Sequence, residues 1–160
     1  ERICIDNLLN EDIKTVQKIS EKIGRQAMIG VSPISLKKNV LYRYDYLSKK
    51  LINFNMWCKS NYVSDLISEM LIVDYKNEGK KNKFNLKVLS HLNKINENFI
   101  LFGGISSIKI IEKLFENKKV AGICIGNFLS HFEHANKYYT DFITSNYHRR
   151  PKFLKKKYFN

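Results

Sequence analysis

Several things are scarce in this chain, and each shortage excludes a class of structure or chemistry. Only three cysteines occur in 160 residues. Cys4, Cys58 and Cys124 are widely separated and form no paired motif, so neither a disulfide framework nor a cysteine metal site is encoded. Cys4 and Cys124 sit in apolar, strand-like runs, which predicts buried, reduced thiols and a cytoplasmic setting. Histidines three apart occur at His131 and His134, but no third ligand recurs at metal spacing, so no metal is expected. No apolar run reaches bilayer-spanning length and no signal peptide opens the chain, which predicts no membrane association. Acidic residues are outnumbered, 15 Asp and Glu against 28 Lys and Arg, for a formal charge of +13.

That charge could serve nucleic acid, an acidic surface or a phosphorylated small molecule. Much of it is local, in Lys80-Lys81-Asn82-Lys83 and in the tail from His148 to Lys157. Lysine, asparagine and isoleucine are abundant together, a general compositional bias, so nucleic acid is not an expected partner. Hydrophobic residues make up 44% of the chain, enough for an ordered domain with a real core.

The most informative stretch is Asn98-Phe-Ile-Leu-Phe-Gly-Gly-Ile-Ser-Ser107. Phe99 to Phe102 reads as a strand buried on both faces, and Gly103-Gly104 ends it. Ser106 or Ser107 then caps an amphipathic helix running to Phe115. A buried strand, a glycine pair and a helix start let backbone N–H groups approach an anion.

Similar units recur along the chain. Strands are expected at Arg2–Asp6, at Ala27–Val31 ending on Ser32-Pro33, at Met70–Asp74 and at Ala121–Ile125. Helices are expected over Glu11–Ile23 with Gly24 closing it, Phe54–Ile67, Leu86–Ile95, and from Phe128 onwards. Val40 to Tyr46 reads as a small hairpin excursion turning at Ser48-Lys49-Lys50. This alternation predicts an α/β fold with a parallel sheet, either doubly wound or a closed barrel. In both, the site lies at the strand C-terminal ends. Those ends hold Asp6 and Asn7, Ser32 and Pro33, Asp74 to Gly79, Gly103 and Gly104, and Gly126 and Asn127.

Five segments, in order, resemble the cyclase subunit of imidazole glycerol phosphate synthase and its close paralogues. They are Glu1-Arg-Ile-Cys-Ile-Asp-Asn7, Ile23-Gly-Arg-Gln-Ala27, Ser68–Asp74 with Glu78-Gly79, Ile100-Leu-Phe-Gly-Gly-Ile105 and Gly122-Ile-Cys-Ile-Gly-Asn127. The resemblance runs from Glu1 to about residue 145. It implies a partial (β/α)8 barrel made of the fourth to eighth βα units, with residues 1–147 as barrel and 148–160 as a basic tail. The first three strands would lie upstream of Glu1, so the chain is expected to be a fragment or a truncated protein.

The resemblance also implies a chemistry. Glu78, Gly79, Gly103, Gly104, Gly126 and Asn127 match one phosphate site, and Asp6 and Asn7 match the edge of a second. Asp6 replaces the usual Asn, and Glu78 the usual Asp. Of the two aspartates that perform general acid–base work in the family, one lies outside this sequence and the other falls at Pro33, which carries no proton. Asp45 and Asp74 are candidate substitutes. Arg2 and Glu69 match charged residues at the barrel floor, where ammonia enters from a glutaminase subunit, and Gln26 falls near that floor. The implied function is an ammonia-dependent cyclase subunit of histidine biosynthesis acting on a phosphorylated substrate without a cofactor. A paralogue that amidates bacterial surface sugars and a non-catalytic binder of phosphorylated ligands are the alternatives.

Overall fold

A computed structural model of the chain describes residues 1–60, 63–131 and 139. Within them, β1 (Ile3–Ile5), β2 (Met28–Lys37), β5 (Glu69–Asp74), β6 (Asn98–Phe102) and β7 (Val120–Ile123) lie side by side in chain order, all parallel. Helices α1 (Leu8–Glu11) and α2 (Ile13–Ile23) link β1 to β2. Next, α3 (Phe54–Ser60) and α4 (Val63–Leu66) lead to β5, α5 (Val88–Leu92) leads to β6, and α6 (Ile108–Phe115) leads to β7. Parallel neighbours in sequence order, joined by helical crossovers, are the arrangement of a (β/α)8 barrel. The chain is a partial barrel of that kind, as expected.

Strand β2 is longer than its sequence suggested. The expected stop at Ser32-Pro33 does not occur, and the strand runs on to Lys37. One of its edges is shared. Met28 to Gly30 pair with β1, and Ile34 to Lys37 pair with β3 (Val40–Asp45), which continues into β4 (Lys50–Asn53). Pro33 falls in the gap between those two partners, where a residue lacking an N–H is tolerated. Lys38 and Asn39 turn the chain with φ of 45° and 60°, the left-handed pair that a two-residue hairpin requires. The expected hairpin excursion is thus present, grown directly out of the second parallel strand.

Period-two alternation divides the sheet into two faces. Met28, Ile34, Met70, Ile72, Phe99 and Leu101 are fully buried on one of them. A Cβ at Gly30 would meet Ile67 and Leu9, which identifies that face as the helix side. Val31, Leu71, Val73, Ile100 and Phe102, on the other face, are only half-buried. The strand at Phe99–Phe102 is therefore buried on one side, not two. For the same reason Cys4 and Cys124 are exposed thiols, not buried ones. Cys4 is level with Ile29, on the face turned towards the barrel interior, which five strands leave open.

Helix bounds follow capping. Asp12 accepts from the Thr15 N–H to start α2, and Gly24, at φ 85°, ends it. Of the two serines expected to cap α6, Ser107 does so, accepting from the Ile110 N–H at 3.3 Å. Ser107→Ala should cost about 1 kcal/mol and lower Tm by roughly 2–4 °C, readable in a thermal melt. The segment expected as a helix from Leu86 to Ile95 keeps only Val88–Leu92, and the one from Phe54 to Ile67 is divided between α3 and α4. After β7 the chain makes a 3-10 turn over Asn127–His131. Of the rest of the expected final helix only Tyr139 is among the described residues, and His134 and the basic tail lie outside them. Among the described residues no helix is long and apolar enough to cross a membrane.

Candidate functional site

Six of the strand-end residues singled out by sequence come together. Glu78, Gly79, Gly103, Gly104, Gly126 and Asn127 line one cleft of about 150 Å³ at the C-terminal ends of β5, β6 and β7. Its glycines are there for space as well as conformation. Gly103 has φ 104°, and a Cβ on it would stand 2.6 Å from the Asp74 carbonyl oxygen. Gly104 has φ 71°, with its Cβ position 2.9 Å from the Asn77 carbonyl oxygen and the Phe84 nitrogen. The loop after β5 therefore lies directly on the glycine pair. It is fastened there by the Lys83 and Phe84 N–H groups, both donating to the Gly104 carbonyl.

Further residues of the cleft were not expected as site residues. Lys80 and Lys81 line it, with Phe102, Ser106 and Cys124. In the sequence the Lys80 cluster stands out only as a local excess of charge, because no motif ties it to a strand end. Ser106 is buried, accepts from the Asn82 N–H at 3.1 Å and donates to the Asn82 side-chain oxygen at 2.7 Å. Its carbonyl accepts from the buried Tyr139 phenol at 2.8 Å. With two lysines and four glycines in its lining, the cleft offers an anion positive charge and close backbone approach, opposed by the Glu78 carboxylate on its wall.

The other end of the mouth is organised differently. Asp6 follows β1 and Asn7 precedes α1. The Arg43 guanidinium, on β3, donates to Asp6 Oδ1 at 3.1 Å. Arg43 is fully buried, stacks on Trp57 at 4.5 Å from the ring centroid, and leaves Nε and one terminal nitrogen without a hydrogen-bond partner among the described residues. Burial lowers the Arg43 pKa, and burial raises that of Asp6 despite the opposing pull of Arg43. Arg43 carries no signal in the sequence, because a lone arginine in a tyrosine-rich hairpin looks like a surface residue. Three tyrosines gather near this pair, and one of them, Tyr46, is close enough to feel the charges of both Asp6 and Glu78. Tyr44 and Tyr75 are stacked at 4.9 Å, and Tyr46 meets Tyr44 edge-on at 5.1 Å.

Pro33 lies inside β2, level with Val73 of β5 and on the same face as Val31. Neither expected substitute is poised to replace a carboxylate there. Asp45 caps its own turn, accepting from the Ser48 hydroxyl and the Leu47 N–H. Asp74 is buried, accepts from the Asn77 amide, and has its pKa raised by that burial. Both hold loops in place.

At the opposite ends of the strands, Arg2 and Glu69 form an ion pair at 2.6 Å. Arg2 also donates to the Ser68 hydroxyl at 2.7 Å, which in turn donates to the Met28 carbonyl. The pair stands two strands apart and bridges across the foot of β2, near Gln26. It is half-exposed, not deep. Among the described residues no group of three or more His, Cys, Asp or Glu could hold a metal.

No curated protein matches the chain. The family described as histidine biosynthesis protein matches residues 1–136, which takes in every strand, the glycine cleft and the Arg2–Glu69 pair. With a partial (β/α)8 barrel and a match over most of its length, the chain belongs to the histidine biosynthesis protein family.

Proposed function

We propose that the chain is the C-terminal part of an ammonia-using barrel subunit of the imidazole glycerol phosphate synthase type, the cyclase side of that enzyme. The observation that carries this is the convergence of Gly79, Gly103, Gly104 and Gly126 on one cleft with Lys80 and Lys81. Such a cleft suits a phosphate group held by backbone and lysine together. The Arg2–Glu69 pair at the far end of the same strands supports a floor that faces a glutaminase partner. In this reading ammonia passes the floor and adds to a phosphorylated ribulosyl substrate anchored in the cleft.

The histidine-pathway substrate is favoured over a plain sugar phosphate by Tyr75, which directly follows β5 and stacks on Tyr44, an aromatic surface at the strand ends that suits a planar ring. Pro33 favours a second reading, in which the protein binds a phosphorylated ligand without turning it over. An assay of the whole protein with ammonium and the phosphorylated ribulosyl substrate, beside a Pro33→Asp variant, separates the two. Ammonium-dependent turnover by either protein is expected. Phosphate-ligand binding with no turnover in either would replace the cyclase reading with the binding one.

A further inference from the structure

We infer that Asp6 is the proton-transferring carboxylate of this site, doing what Pro33 cannot, and that Arg43 is its positioning residue. This rests on the cyclase reading. The other carboxylates at the barrel mouth are each committed elsewhere. Asp45 has its oxygens engaged in its own turn. Asp74 is 4% exposed and held by Asn77. Glu78 is exposed on the wall of the anion cleft, where it would meet the phosphate itself.

Asp6 alone among them is both fixed and open. Its Oδ1 is gripped by Arg43, which is itself locked by burial and by the Trp57 ring. Trp57 is fixed in turn, donating to the Asn10 side-chain oxygen at 2.7 Å. Asp6 Oδ2 has no hydrogen-bond partner among the described residues, and the side chain is 36% exposed. Asp6 also directly follows β1, the strand next to that of Pro33. Ile5 is level with Gly30, so Asp6 follows level with Val31, two residues below Pro33 on β2. Two residues along and one strand across is about 8 Å between Cα atoms, within the compass of one substrate.

The proton balance is simple. As the nitrogen of ammonia bonds to the ribulosyl carbonyl carbon, Asp6 Oδ2 takes one N–H proton. It passes that proton to the carbonyl oxygen, which becomes a hydroxyl, and then takes a second N–H proton and gives it to that hydroxyl, which leaves as water as the C=N bond forms. The carboxylate is regenerated, and Arg43 holds its charge throughout. The groups facing Asp6 are Arg43, Asp45 and Tyr46, all from the hairpin.

The test uses the whole protein with ammonium and the phosphorylated ribulosyl substrate, and follows inorganic phosphate binding by calorimetry. Asp6→Asn should lower kcat about 100- to 10,000-fold, abolish the acid limb of the pH profile and leave phosphate binding in the glycine cleft, which Asp6 does not line, unchanged. Adding Pro33→Asp to that variant should restore part of kcat, because the new carboxylate enters from the neighbouring strand. If the loss of charge beside Arg43 unfolds Asp6→Asn, Asp6→Glu decides. A displaced acid limb in Asp6→Glu supports the assignment, and an unmoved one overturns it. An active wild type with an undiminished Asp6→Asn overturns the inference and leaves the cyclase reading standing. So does an inactive wild type whose Pro33→Asp variant turns over. Inactivity of both overturns the inference and the cyclase reading together.

Discussion

Gly103→Ala is expected to destabilise the fold by about 2–5 kcal/mol and to abolish anion binding in the cleft. Two costs combine. A φ of 104° is a conformation that side chains rarely adopt, and the added methyl would stand 2.6 Å from a backbone oxygen of Asp74. Backbone cannot step aside as a flexible side chain can. The displaced segment is the one that carries Asn77, Glu78 and Gly79 round the cleft. Gly79→Ala is the matching control. Gly79 also has a positive φ, of 74°, but a Cβ there would meet nothing within 4 Å. Its cost should be only the left-handed penalty of about 1–2 kcal/mol. Denaturant titration of both variants, with inorganic phosphate calorimetry, checks the pair. Equal destabilisation would mean that the contact with Asp74 does not hold the loop.

Arg43→Ala is expected to cost about 3–5 kcal/mol, read as a fall in the guanidinium chloride midpoint. The substitution leaves Asp6 without its counter-charge and empties the space beneath Trp57. Arg43→Met, which fills much of that space, should recover part of the loss. The recovered part measures packing, and the remainder measures the charge pair. A double-mutant cycle with Asp6→Asn isolates the pair itself. A coupling of zero there would reduce the Arg43–Asp6 contact to mere proximity.

The parallel arc was legible because its signals are local. Apolar runs of four or five residues marked β5, β6 and β7 within a residue or two. The glycine cleft was legible for a related reason, since a glycine at a strand end marks a tight turn or a close backbone approach. What could not be read was long-range. Pro33 resembles a terminator, yet the hairpin that it precedes folds back and keeps β2 going to Lys37. Arg43 acquires its meaning only from Asp6, 37 residues earlier in the chain, and from Trp57 on α3. Cys4 and Cys124 prove exposed because apolar neighbours on one face of a strand say nothing of how far the other face is covered.

The side-by-side order of the strands bears on how the chain comes to be folded. Each parallel strand has as its partner the one that left the ribosome just before it, from β1 through β7. Among the described strands none must wait for a later segment before it can pair, so loop-closure entropy is met in small, successive steps. The hairpin of β3 and β4 fits this sequence, since it is complete before β5 emerges to take the opposite edge of β2. Synthesis and assembly can therefore run in the same direction, one βα unit at a time. The glycine cleft, built from the ends of β5, β6 and β7, is among the last features to close.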